Sequence, residues 1–255
     1  MFVRVLEALF PARCAGCGTG PWPFCDSCRG ALVPLVRPWC ERCGAPARWE
    51  VPRCRHCPPE AISRARAPFL FEGPARRAVH RLKFSGWRSV AEALGGAMAE
   101  VADGDADVVT WVPLSRRRRA SRGFDQARAL ALVVGPALGV RVAPLLRRTA
   151  EAPPQARRGG EERRRAMRGV FAARGRISGR VLLVDDVLTT GATAGACAEA
   201  LLEAGGGEVH VLTAARAASG AMADLYSTSG SRPGLWLPGE RLPGSRSQPR
   251  AKRPT

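Results

Sequence analysis

The residues best suited to chemistry lie in one run, Val181-Leu182-Leu183-Val184-Asp185-Asp186-Val187-Leu188-Thr189-Thr190-Gly191-Ala192-Thr193. Four apolar residues predict a buried strand with two adjacent carboxylates at its carboxyl end. A short loop rich in threonine, with one glycine, then leads into a helix. Open α/β sheets bind ligands at that edge. Backbone amides, hydroxyls and the positive end of a helix hold a phosphate. Paired carboxylates beside them grip two vicinal hydroxyls. A phosphate and a diol at that separation describe a ribose 5-phosphate. A helix that needed only a cap would use one hydroxyl, and two adjacent acids would have no purpose.

A second constellation lies upstream. Eight of the nine cysteines form four C-x-x-C pairs, Cys14/Cys17, Cys25/Cys28, Cys40/Cys43 and Cys54/Cys57. Each C-x-x-C turn presents two sulfurs to one tetrahedral metal, and two such turns complete a four-thiolate shell. The segment has few residues for a core, so structural Zn2+, as one or two ions, would supply its folding energy. Gly18 and Gly44 follow the first and third pairs, which gives two repeated units and, most simply, two sequential zinc ribbons. A cross-braced pairing satisfies the same spacing. His56, inside the last turn, is an alternative ligand, and Cys197 stands apart on a predicted helix as a small buried residue. Arg13, Arg29, Arg42, Arg48, Arg53 and Arg55 suit a polyanion, and Trp22, Trp39 and Trp49 suit base stacking. The same residues also serve as solvated charge and core packing.

These groups belong to a chain of 255 residues that is 45% hydrophobic, enough for a real core. Its formal charge is +18, and 38 of its 40 cations are arginines, the exceptions being Lys83 and Lys252. Genome composition produces such a bias, so the charge alone does not argue for nucleic acid. No apolar run is long enough to span a membrane, so no membrane insertion is expected. The first ten residues lack the pattern of a signal peptide. A reducing, cytoplasmic setting is therefore expected, where clustered cysteines bind metal rather than form disulfides.

Composition divides the chain at 11–59, 60–217 and 218–255. The last part is rich in Pro, Gly and Ser and reads as a disordered basic tail. The middle alternates apolar runs with helical periodicity, which predicts an α/β domain with a mostly parallel sheet. Strands are predicted at 68–71, 107–114, 181–184 and 209–213, with a short one at 142–146. Helices are predicted from Gly73 to about Phe84, then over 87–101, 124–138 and 192–204. Residues 147–176 read as a long basic loop. The wider stretch 141–180 has 12 arginines against three acidic residues, which suits a flap, a nucleic-acid surface, or both.

VLLVDDVLTTGAT resembles the phosphoribosyl pyrophosphate (PRPP) motif of type I phosphoribosyltransferases. Residues 11–217 as a whole resemble the ComF family, in which a double zinc ribbon precedes such a domain. HRLKFSG (80–86) is similar to the family's LKY-x-G segment and carries Lys83. VPLSRRRRASRGFDQA (112–127) is similar to its VPL…RGFNQA segment, and Thr149, Gln155, Arg163 and Phe171 match a further pattern. Asp125 stands where Asn is usual, Arg158 where Leu is, and Ala166 where Asn is, so the flap contacts do not carry over in detail. The resemblance implies a type I phosphoribosyltransferase fold. It also implies PRPP as ligand, with Mg2+, held by Lys83, Pro113, Leu114, Ser115, Arg116, Asp185, Asp186, Thr189, Thr190, Gly191, Ala192 and Thr193. Asp185 and Asp186 would be catalytic if the chain is an enzyme, and 145–172 would close over the site. Arg117, Arg118, Arg119, Arg122, Arg163, Arg164 and Arg165 are candidate nucleic-acid contacts. The implied role is DNA uptake in natural competence, with single-stranded DNA and competence proteins such as a helicase as partners. An active transferase using an unidentified acceptor, unrelated to DNA, is the alternative.

Overall fold

In the computed structural model, residues 13–85, 88–103, 105–150, 165–167 and 169–218 are described. Most of the expected flap, including Arg163 and Arg164, and the tail from 219 onward lie outside the described residues.

The body is built on a parallel sheet in the order β1 (Arg64–Arg66), β7 (Glu208–Arg216), β6 (Arg180–Leu188), β3 (Val108–Trp111). A two-residue strand, β2 (Phe69–Leu70), continues β1's path along β7. Strand residues alternate between two cores, as the two-residue period requires. Val109, Leu182, Val184 and Leu212 face one core with helices α2 (Gly73–Ser85), α3 (Arg88–Glu100) and α5 (Gln126–Leu138). Val108, Val181, Leu183 and Val211 face the other, with α6 (Ala192–Glu203) and an antiparallel pair, β4 (Leu146–Arg148) with β5 (Phe171–Ala173). Both faces are covered, as the apolar runs of a parallel sheet demand. The fold is α/β with a mostly parallel sheet and resembles that of the type I phosphoribosyltransferases.

Four features depart from the sequence expectation. β6 runs through the acidic pair to Leu188, with Asp185 level with Thr213 and Val187 level with Ala215. β1 (Arg-Ala-Arg) carries no strand signal and exists because the edge of β7 offers it partners. The expected long loop begins and ends in the β4–β5 pair, while Val142 makes only an isolated bridge to Val109. A seven-residue helix, α4 (Arg116–Arg122), precedes α5; the Ser115 hydroxyl caps it by accepting from the Arg118 amide at 3.3 Å, and Gly123 ends it at φ 74°. Arg-rich sequence without an apolar stripe gives no periodicity, so only the cap and the glycine mark it.

Upstream, the cysteine segment folds around one short helix, α1 (Asp26–Gly30), and packs on the body rather than standing apart. Cys14, Phe24, Cys28 and Leu32 share a core with Val79 and Leu82 of α2. Leu35, Cys40, Cys43 and Ala45 pack on Ala67 and Leu70.

Candidate functional site

The thiols divide by sequence order. Cys14, Cys17, Cys25 and Cys28 form one group and Cys40, Cys43, Cys54 and Cys57 the other, with each group's sulfurs within 4.8 Å of one another. Four sulfurs ~2.3 Å from one zinc stand about 3.8 Å apart. The separations fit: 3.8 Å for Cys17–Cys25, 3.6 Å for Cys40–Cys57 and for Cys43–Cys54, and 3.9 Å for Cys54–Cys57. Backbone amides point at the sulfurs, from Cys25 to Cys14 Sγ at 3.3 Å and from Cys54 to Cys40 Sγ at 3.2 Å. Hydrogen bonds led by the Thr19 hydroxyl draw the Cys17 thiol down to about 5, whereas burial pushes the Cys28, Cys43 and Cys54 thiols up. Each group is a four-thiolate set that fits one structural zinc, and the grouping is that of two sequential ribbons rather than a cross-braced pair. His56 is outside both groups; its ring accepts from Arg55 at 2.9 Å.

Arginines weld the ribbons to the body. Arg77 and Arg81 of α2 donate to the carbonyls of Gly16 at 3.0 Å and Cys17 at 2.6 Å. Arg216, at the end of β7, donates to Cys43 O at 2.8 Å and His56 O at 3.4 Å. Arg42 turns inward onto Pro59 O and Ile62 O, both at 2.9 Å. Arg53 pairs with Glu60, whereas Arg13, Arg48 and Arg55 face solvent. Trp39 is sandwiched by Arg37 and Arg66 at 5.2 and 5.0 Å, and Trp22 donates to Ser89 O at 3.1 Å. Trp49 is exposed.

At the carboxyl edge of the sheet, a pocket is lined by Lys83, Val112–Ser115, Arg118, Arg122, Gln126, Arg148, Asp185–Thr189 and Gly191–Ala194. The adjacent aspartates have different surroundings, because neighbours on a strand turn to opposite faces. Asp186 faces α2 and α5: Lys83 Nζ lies 2.8 Å from Oδ1 and Gln126 Nε2 donates to Oδ2 at 2.9 Å. Asp185 accepts the Asp186 amide at 2.8 Å. Burial, and then the Asp186 carboxylate, push its own carboxyl up to about 8. Gln126 is buried, and its Oε1 finds no partner among the described residues; an orphaned acceptor in a polar pocket is a place for a ligand's hydroxyl.

The loop after β6 is shaped by Gly191, which caps α6 at φ 74° with no side-chain cap bond. A Cβ there would lie 2.7 Å from Pro58 Cβ, and one at Gly195 would lie 2.7 Å from Pro59 Cγ. The second ribbon's exit thus rests directly on the loop and first turn of α6. Thr190 and Arg116 are exposed and outside the lining, as are Arg117 and Arg119; Arg119 reaches Asp125 at 3.4 Å. Arg165 is exposed at the start of a short helical segment, 165–167, remote in sequence from the rest. Asp125, at the position usual for Asn, caps α5 by accepting the Arg128 amide at 3.2 Å, a task either residue performs. Gln126 and Arg148 are not among the PRPP-binding residues expected from the sequence, and Arg118 and Arg122 are expected there among the candidate nucleic-acid contacts. Only the motif RGFDQA carried a signal for Gln126.

A double zinc ribbon family model matches residues 5–58. Among curated proteins, the DNA utilization protein YhgH of Salmonella typhimurium is 30% identical over 205 residues, covering 74% of this chain and 88% of that one. YhgH of Escherichia coli K12 is 29% identical over 204 residues, covering 75% and 89%. Among solved structures, an allosteric regulatory enzyme of purine biosynthesis is 26% identical with a TM-score of 0.37, over 50% of this chain and 26% of that one. Glutamine PRPP amidotransferase from B. subtilis is 29% identical with a TM-score of 0.36, over 49% and 26%. The chain therefore spans about a quarter of the length of those two enzymes. Ribbons and body together define a zinc-ribbon protein with a phosphoribosyltransferase-like fold. The chain belongs to the ComF/YhgH family.

Proposed function

We propose that the chain binds PRPP at the edge of the sheet and handles single-stranded DNA in the cytosol during DNA uptake. The observation that carries the PRPP half is the convergence on one pocket of the acid pair, the loop 189–194 and a cationic rim of Lys83, Arg118, Arg122 and Arg148. The loop and the start of α6 take the 5-phosphate. Asp185 and Asp186 take the diol, with Gln126 Oε1 as an additional acceptor. Residues Pro113–Ser115 and the arginines face the diphosphate, for which guanidinium is the matching donor. Arg116 and Thr190 lie outside this lining and act, if at all, as rim.

Two carboxylates opposite a cationic rim also fit Mg2+ carried in with PRPP, held chiefly by the diphosphate oxygens. Bound there, the ion would help neutralise a leaving diphosphate. Lys83 holds Asp186, whose carboxylate has further acceptor sites for a diol hydroxyl. The DNA half is supported by the relatives' name and by α4, whose seven residues include five arginines and no acid. Among the described residues no helix is long and apolar enough to cross a membrane. The cytosolic setting and the association with competence proteins such as a helicase belong to the same proposal.

PRPP with Mg2+ should raise the melting temperature of the zinc-loaded chain, and Asp185→Ala with Asp186→Ala should abolish the shift. Equal shifts in both proteins would overturn the reading. The intact acid pair also favours a transferase acting on an unidentified acceptor. Pyrophosphate released only in the presence of a candidate base would establish that activity.

A further inference from the structure

The pocket's outer rim carries an aromatic surface that neither zinc binding nor PRPP binding uses. Phe84, in the last turn of α2, is 69% exposed. The apolar stripe of that helix, Ala75, Ala78, Val79 and Leu82, is buried in the core. Phe84 lies off the stripe and contributes nothing to folding that a polar residue would not. A single exposed apolar residue is ordinary; this one has company. Its ring stands 6.0 Å from His80, which in turn stacks on Phe71 at 6.4 Å. Arg122 lies over the ring at 5.2 Å, and Arg122 also lines the pocket. The residue before Phe84 is Lys83, whose ammonium reaches Asp186 inside the pocket. The aromatic ladder therefore ends at the pocket mouth.

Across that mouth runs α4, with Arg117 and Arg118 exposed; neither has a carboxylate partner among the described residues. Exposed aromatic faces beside backbone-tracking cations are what single strands bind, because every base has a face to stack and every phosphate a charge to neutralise. We propose that a base of single-stranded DNA stacks on Phe84 at the mouth of the pocket, with the exposed arginines of α4, Arg117 foremost, on the flanking phosphates. The proposal deepens the DNA half of the function above and rests on it. It commits to a strand rather than a free base because the ring lies outside the enclosed pocket and the cations extend beyond it along α4.

The test uses the full, zinc-loaded chain, a labelled oligothymidylate and an abasic strand of equal length, titrated by anisotropy at several salt concentrations. Wild type should prefer the base-bearing strand. Phe84→Ala should weaken that strand about tenfold, leave the abasic strand unchanged and keep the salt slope. Phe84→Trp should restore the preference. Arg117→Ala with Arg118→Ala should weaken both strands alike and flatten the salt slope. Equal binding of both strands by wild type, no binding of either, or indifference to Phe84→Ala would overturn the stack. Binding of free thymine that Phe84→Ala abolishes, with strands unaffected, would also overturn it and assign the ring to a small acceptor. The PRPP melting shift is read on the same samples. Its absence in wild type would remove the PRPP reading while leaving the base-stacking result to stand or fall alone.

Discussion

Asp185 and Asp186 are neighbours in sequence with different tasks. Asp186 is held by Lys83 and Gln126, and in the proposed PRPP complex it would accept from a sugar hydroxyl. Asp185 lies on the opposite face, where burial and its neighbour's charge raise its carboxyl from 3.8 to about 8. The folded chain keeps that proton while the unfolded chain releases it. The associated stability is complete below pH 3.8 and is lost as pH rises towards 8, beyond which both states are ionised. Asp185→Asn removes the titration. Its melting temperature relative to wild type should therefore climb steadily between about pH 4 and 8, as scanned by thermal denaturation. A flat difference across that range would mean that Asp185 titrates normally.

At the scale of elements, the pocket depends on how the second ribbon meets the loop after β6. Pro58 and Pro59 follow Cys57 directly and occupy the space where side chains at 191 and 195 would be. Gly191 is needed twice over, for its left-handed backbone and for the absence of a Cβ. Gly191→Ala should cost roughly 1–2 kcal/mol in urea denaturation from the backbone alone, more once Pro58 is displaced, and should weaken the PRPP-induced melting shift. Retained stability together with an unchanged shift would show that the proline contact does not shape the loop.

The whole molecule behaves as one body because the ribbons have no core of their own. Cys14, Cys28 and Phe24 are buried in the same cluster as Leu82, Leu94 and Leu130. Arg77, Arg81 and Arg216 satisfy ribbon carbonyls from α2 and β7. Losing the metal should therefore expose part of the body as well. Metal analysis should find two zinc ions per chain. Stripping them with a chelator should lower and broaden a single calorimetric transition. An unaltered transition for the α/β body after zinc removal would mean that the two parts fold independently. The same continuity assigns the charge: several arginines that look, in sequence, like a polyanion surface are internal ties, whereas Arg116, Arg117 and Arg118 of α4 are exposed.

Local chemistry was legible in the sequence wherever it is complete within a few residues. A C-x-x-C turn, a strand followed by two acids, and a Thr/Gly loop opening a helix each fit inside a dozen positions, so residue types and spacing alone single them out; the structure gathers the thiols into two groups and brings the acids and most of the loop to one pocket. Which half-sites combine was not legible: the choice between sequential and cross-braced zinc is made by how the turns pack on Ala67, Leu70 and α2. Gln126 reaches Asp186 across 60 positions, and β1 is a strand only because β7 has an open edge. Contacts of that kind arise from chain segments meeting in three dimensions, where burial and unpaired backbone groups select the partner, and no local pattern encodes them.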